Sequence, residues 1–123
     1  MNRLNNDSCS LYIVDAFTDK LFGGNPASVC LLKHEYADSV LQSIAAEMNL
    51  SETAFLRPLE QKPLKESKNF SLRWFTPKLE VSLCGHATLA TAAVLFYDLN
   101  ISTDEMHFET KVASWWLRET NME

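Results

Sequence analysis

Histidine, cysteine and glycine each occur only three times in these 123 residues, and each scarcity closes off a class of chemistry. The histidines (His34, His86, His107) form no HxH or HExxH, so a metal site is not expected. The cysteines (Cys9, Cys30, Cys84) are odd in number, widely spaced and free of any CxxC. That pattern argues against a disulfide framework or a zinc site and for a reducing, cytoplasmic setting. The glycines make no GxGxxG, and no Lys-Ser/Thr pair follows Gly23-Gly24-Asn25-Pro26, so no phosphate loop is expected. No long apolar run is present either. The weakly polar stretch Ala87 to Tyr97 reaches about half of the roughly 20 residues that a membrane helix needs. Met1 to Ser10 is polar, and the apolar run after it is broken by Asp15, so a secretory signal is not expected. Strong positive charge is missing too: the net charge of -5 argues against nucleic acid or an anionic membrane as partner.

What is present suffices for one core. Hydrophobic residues make up 46% and charged residues 22% of the chain, which fits a globular domain too short to divide in two. Arg73 to Phe96 is the organising stretch: a strand, a turn at Pro77, then a helix opening at Cys84-Gly85-His86. From Ala87 onward only Thr88 and Thr91 interrupt that helix's apolar surface, which predicts an axle buried all round. Upstream, Ser10 to Phe17 and Ala27 to Leu32 read as strands joined through the Gly23-Gly24-Asn25-Pro26 turn. Asp38 to Asn49 reads as an amphipathic helix, with Ser39 and Gln42 at capping-box spacing and Asn49 as a left-handed terminator. A short strand over Ala54 to Arg57 and a solvated loop from Pro58 to Asn69 follow. Phe70 to Phe75 alternates as a strand with one buried face, and Glu105 to Thr110 is a further candidate strand. Beyond it, Val112, Trp115 and Trp116 stand at helical spacing. Strands mixed with two unlike helices predict the α+β class.

Three residue types carry the candidate chemistry. Glu52 lies in a low-charge junction between helix and strand. Burial there would raise its carboxyl pKa and let it trade protons near neutral pH, whereas the competing reading is a carboxylate that caps or pairs at a helix end. His86 and Gly85 open a helix whose free N–H groups can receive a carboxylate; a histidine bonding backbone at that point is the alternative. Cys84 precedes the same helix start, where a thiol pKa can fall, although a lone cysteine is also ordinary packing. Asn25 either faces a ligand or holds its turn, and Arg73 reads as a paired strand residue.

In combination, Asp15-Ala16-Phe17-Thr18, Phe22-Gly23-Gly24-Asn25-Pro26-Ala27, Ile44 to Phe55, Leu72-Arg73-Trp74-Phe75-Thr76-Pro77 and Glu80 to Thr88 resemble the phenazine-biosynthesis (PhzF-like) isomerase family, nearest to its animal branch. The motifs run in the family's order over about residues 11 to 110. The resemblance implies a diaminopimelate-epimerase-like fold, in which each of two halves wraps a mixed or antiparallel sheet around a central helix. It implies a proton-carrying glutamate at Glu52, a pocket lined by His86, Gly85 and, with a weaker match, Asn25, and a small carboxylate substrate of the dihydro-hydroxyanthranilate kind. No metal or organic cofactor is implied. For Cys84 the match gives location and not the thiol role of the related epimerases, because Gly-His follows it rather than Gly-Asn-Gly.

The family's members run to about twice this length, and Lys111 to Glu123 departs from the family's pattern. The expected organisation is a tail at 1–9, a half-domain at 10–110 and a divergent tail at 111–123. The expected activity is the family's isomerisation, impaired by the absence of a second half. The alternative is a truncated, non-catalytic form that binds protein partners or the other half of a full-length form, through an exposed Trp115 and Trp116. The partners expected are the small carboxylate and a homodimer or protein partner.

Overall fold

Ser10–Ala16 (β1), rich in β-branched and aromatic residues, and Asn25–Leu31 (β2), built mainly from small and aliphatic ones, form an antiparallel pair in the computed structural model. Residues 9–16, 25–82, 85–101, 105–111 and 114–118 are described. A helix, Asp38–Met48 (α1), carries the chain from β2 to Glu52–Pro58 (β3), which lies parallel to β2 as such a crossover requires. Asn69–Phe75 (β4) turns back antiparallel to β3, and the two-residue Glu80–Val81 (β5) pairs with the end of β4. A second helix, Gly85–Ala93 (α2), leads through a π turn, Val94–Asp98, into Glu105–Glu109 (β6), parallel to β4. Ser114–Arg118 (β7) closes the order β1-β2-β3-β4-β6-β7 as an antiparallel neighbour of β6. The sheet is mixed and the class is α+β, as expected.

Each face of the sheet has its own apolar layer. Ala27, Val29, Ala54, Leu56, Phe70, Leu72, Trp74 and Phe108 pack with Ala87, Ala90, Val94, Leu95 and Phe96 on the side of α2. Cys30, Leu32, Phe55 and Phe75 pack with Leu41 and Ala45 of α1 on the other side. Strand β3 is therefore buried on both faces from Thr53 to Leu56, the usual condition of a strand with a parallel neighbour. Buried alanines along α2 allow close approach to the sheet. Thr91 is fully buried because its hydroxyl donates to the Ala87 carbonyl at 2.7 Å. The π turn, closed by Leu99 N–H to the Val94 carbonyl at 2.9 Å, lets Val94, Leu95 and Phe96 all turn inward while Tyr97 stays exposed.

Four expectations need correction. Ser39 is not the cap of α1: the helix opens at Asp38 after Ala37, with no side-chain cap bond. Gln42 instead donates to the Thr76 carbonyl at 2.9 Å, tying α1 to the end of β4. Strand β3 begins at Glu52 rather than Ala54, so the glutamate belongs to the sheet. Strand β4 does not expose its second face throughout, since Phe75 is covered by the α1 layer and meets Phe55 edge-on at 5.4 Å. The helical spacing of Trp115 and Trp116 is also overruled: residues 114–118 are extended and pair with β6. Trp115 and Trp116 stand opposite Phe108 and His107 in the register; their side chains lie outside the described residues. The left-handed end of α1 is as expected, with Asn49 at φ 53° and its N–H on the Ala45 carbonyl.

Candidate functional site

The β2–β3 register decides which way Glu52 faces. Ala27 lies opposite Glu52 and Ser28 opposite Thr53, and the Ser28 and Thr53 hydroxyls meet at 2.6 Å in the buried layer. Ala27 and Ala54 belong to the α2 layer, so strand alternation puts Glu52 on the α2 face as well. Its side chain is half-buried there. Asn25 begins β2, two residues before Ala27, which sets its Cα about 8 Å from that of Glu52 on the same face. Ser51 joins the two segments by donating to the Pro26 carbonyl at 3.3 Å.

The chain reaches α2 by way of β4 and β5. Trp74 pairs with Ala54 on one side and with Val81 on the other. Three residues lie between Val81 and Gly85, so the helix opens within about 14 Å of Val81. A tight turn holds the approach: Thr76 N–H donates to the Leu79 carbonyl at 2.8 Å, and the Thr76 hydroxyl accepts the N–H of Leu79 at 3.0 Å. Gly85 and His86 form the first turn of α2, and Ala87, next in sequence, is buried. The side chains of Asn25 and His86 lie outside the described residues, and so does Cys84 entirely. The structure thus places Asn25 and Glu52 at one end of the β2–β3 pair by backbone position, with only the Glu52 side chain described, and sets Gly85 and His86 at the start of α2.

Arg73 is paired, as the sequence suggested. Its guanidinium forks onto Glu80 with two bonds of 2.8 Å and reaches Asp38 at 3.0 Å, while Lys111 adds a 3.1 Å contact to Glu80. The Arg73 bonds hold the Glu80 and Asp38 carboxyls below the usual carboxylate range. That cluster sits on the α1 face, away from Glu52. Two surface cavities also lie elsewhere. One of about 430 Å³ is bounded by Leu31, Lys33, Leu56 and Lys62, and one of about 260 Å³ by Tyr36, Asp38, Arg57 and Arg73. Glu52 lines neither. Among the described residues, no group of three or more His, Cys, Asp or Glu gathers as a metal cluster, and no helix is long and apolar enough to cross a membrane.

One polar atom that the sequence reading passed over is Nε1 of Trp74. The indole is buried on the α2 face, diagonal to Glu52, and its N–H has no hydrogen-bond partner among the described residues. Its signal was available in the alternation of β4, which turns Phe70, Leu72 and Trp74 inward together.

The chain is similar to known proteins. The sequence model described as "Phenazine biosynthesis-like protein" matches residues 14–120. The human phenazine biosynthesis-like domain-containing protein is 54% identical over 101 residues, which are 81% of this chain and 35% of the human protein. An uncharacterized isomerase of Halalkalibacterium halodurans is 51% identical over 102 residues, 82% of this chain and 36% of that protein. Among solved structures, a phenazine biosynthesis protein of the PhzF family from Enterococcus faecalis superposes with a TM-score of 0.76 at 44% identity, covering 88% of this chain and 39% of its own. The matched part of the chain thus spans about a third of the length of such curated relatives. With a family model matched over most of its length and relatives at half identity, the chain belongs to the phenazine biosynthesis-like protein family.

Proposed function

We propose that this chain carries the proton-transfer half of a cofactor-independent isomerase acting on a small carboxylate. Glu52 is the proton carrier, Asn25 and His86 line the substrate's place, and Gly85 with the first turn of α2 receives the substrate carboxylate. The observation that supports this best is the β2–β3 register, which turns Glu52 to the α2 face at the sheet end where β2 begins. The naming of relatives as isomerases supports the reaction class.

The chemistry follows from the placement. A carboxylate facing the layer between the sheet and α2 can take up and return a proton on one substrate face. Free N–H groups at a helix start stabilise the negative charge that develops when a C–H proton leaves beside a carboxylate. Cys84 adjoins that start and is assigned no step.

The fold belongs to the same proposal: half of a diaminopimelate-epimerase-like arrangement with α2 as its central helix, supported by the burial of Ala87, Ala90, Thr91, Ala92 and Leu95. A cytoplasmic setting is proposed from the free thiols Cys9 and Cys30. Closure of the site by a second copy or a further protein would keep water from Glu52. The rate proposed for these 123 residues alone is therefore below that of a relative of full length. The test is to add a dihydro-hydroxyanthranilate and follow its isomerisation by absorbance. Turnover that Glu52→Gln leaves intact would remove the proton-carrier role.

A further inference from the structure

We propose that Trp74 is a substrate contact of the Glu52 site, its indole N–H donating a hydrogen bond to a carboxylate oxygen of the acid bound there. The inference rests on the reading of Glu52 given above and adds a residue to it. Tryptophan is a donor only, and buried donors are nearly always paired, so an unpaired one asks for a reason. Trp74 is 2% exposed and its Nε1 meets no acceptor among the described residues.

The neighbours explain why no partner is found among the described residues. Trp74 lies opposite Ala54 and Val81, and its layer is built from Ala27, Ala87, Ala90 and other apolar side chains. None of these carries a side-chain acceptor, and the strand carbonyls beside it belong to the β3–β4 and β4–β5 ladders. Glu52 is two residues from Ala54 on the same face, which makes it the diagonal neighbour of Trp74 at a Cα separation of about 7–8 Å. An aromatic side chain spans that distance. The missing acceptor would thus stand beside Glu52, between the sheet and the opening of α2, and a carboxylate oxygen suits a lone N–H best because the bond is charge-assisted.

The experiment uses the full chain, labelled with nitrogen-15, and anthranilate as the probe. The three indole N–H signals are assigned with Trp115→Phe and Trp116→Phe, and aniline serves as the probe lacking a carboxylate. The expected result is a downfield move of the Trp74 indole proton with anthranilate but not with aniline. Trp74→Phe should weaken anthranilate binding about tenfold, the loss of one charge-assisted bond. Should anthranilate shift the Glu52 amide while the Trp74 indole stays still, or aniline move that indole equally, the contact is wrong and the Glu52 site stands. Should neither signal respond at saturating anthranilate, the Glu52 site falls and the contact with it. The indole titration needs no variant of Trp74, so it decides the matter even where Trp74→Phe fails to fold.

Discussion

Ser28 and Thr53 face each other across parallel strands β2 and β3, with their hydroxyl oxygens 2.6 Å apart and both side chains fully buried. Each follows directly on a residue of the candidate site's strand pair, Ala27 and Glu52. A slip of one residue would turn Glu52 to the α1 face, so this hydroxyl pair helps fix the direction of the functional carboxylate. Replacing one partner leaves the other's hydroxyl buried and unpaired. Thr53→Val is expected to lower unfolding stability by about 1–3 kcal/mol, while Ser28→Ala with Thr53→Val costs less than the sum of the single changes. Urea unfolding of the four proteins in that cycle measures it.

The end of α1 depends on Asn49, whose φ of 53° places it in the left-handed region. Asparagine visits that region with less strain than alanine, and glycine with none. Asn49→Ala should destabilise the chain by about 1 kcal/mol, and Asn49→Gly should be neutral or slightly stabilising. Thermal melts of both variants give the comparison.

Glu60 sets part of the acid limit. The Lys68 N–H at 2.7 Å, the Lys62 ammonium at 2.9 Å and the Asn69 N–H at 2.9 Å hold its carboxyl down to about 2. A carboxyl with a depressed pKa stabilises the fold above its unfolded value, about 4.3, and that contribution is lost as pH falls toward its folded value. Glu60→Gln is expected to flatten the decline of stability between those two values and leave its pH dependence above pH 5 unchanged. Unfolding midpoints measured across that range check the sign.

Cys30 is expected to be inert while the chain is folded. Burial first, and the neighbouring Cys9 second, push its thiol up to about 12. Iodoacetamide at pH 8 should leave Cys30 unmodified until urea is added, as read by peptide mass. Rapid modification in the folded protein would contradict its place in the α1 layer.

Much of this architecture could be read from local pattern. The period of two in Phe70, Leu72 and Trp74 gave β4, and the spacing of Leu41 and Ala45 with the terminator Asn49 gave α1. Residue type and position singled out Glu52, Gly85, His86, Cys84 and Asn25, and the family resemblance implied their roles. What local pattern could not give was set by pairing across the chain. Phe75 is covered because α1 folds back over β4, which alternation within one strand does not report. Val112, Trp115 and Trp116 stand at helical spacing, yet β6 offers residues 114–118 an open edge, and the ladder prevails over local preference. The Ser39 cap failed because Asp38 already lies inside the helix and Gln42 is drawn to the Thr76 carbonyl. Cys9 and Cys30, far apart in sequence, become neighbours only through the β1–β2 register. The orphaned indole of Trp74 needed the whole α2 layer to be in place before its lack of an acceptor could be noticed.

Proton transfer through Glu52 leaves an isotopic record. The chain is incubated with dihydro-hydroxyanthranilate in deuterium oxide, and deuterium at carbon is counted in the recovered compound by mass spectrometry. Glu52 as carrier predicts carbon-bound deuterium with the unaltered chain and a fall of about 10²- to 10⁴-fold in its rate of appearance with Glu52→Gln. Equal incorporation by both proteins, or none by the unaltered chain under conditions where it binds the compound, would contradict it.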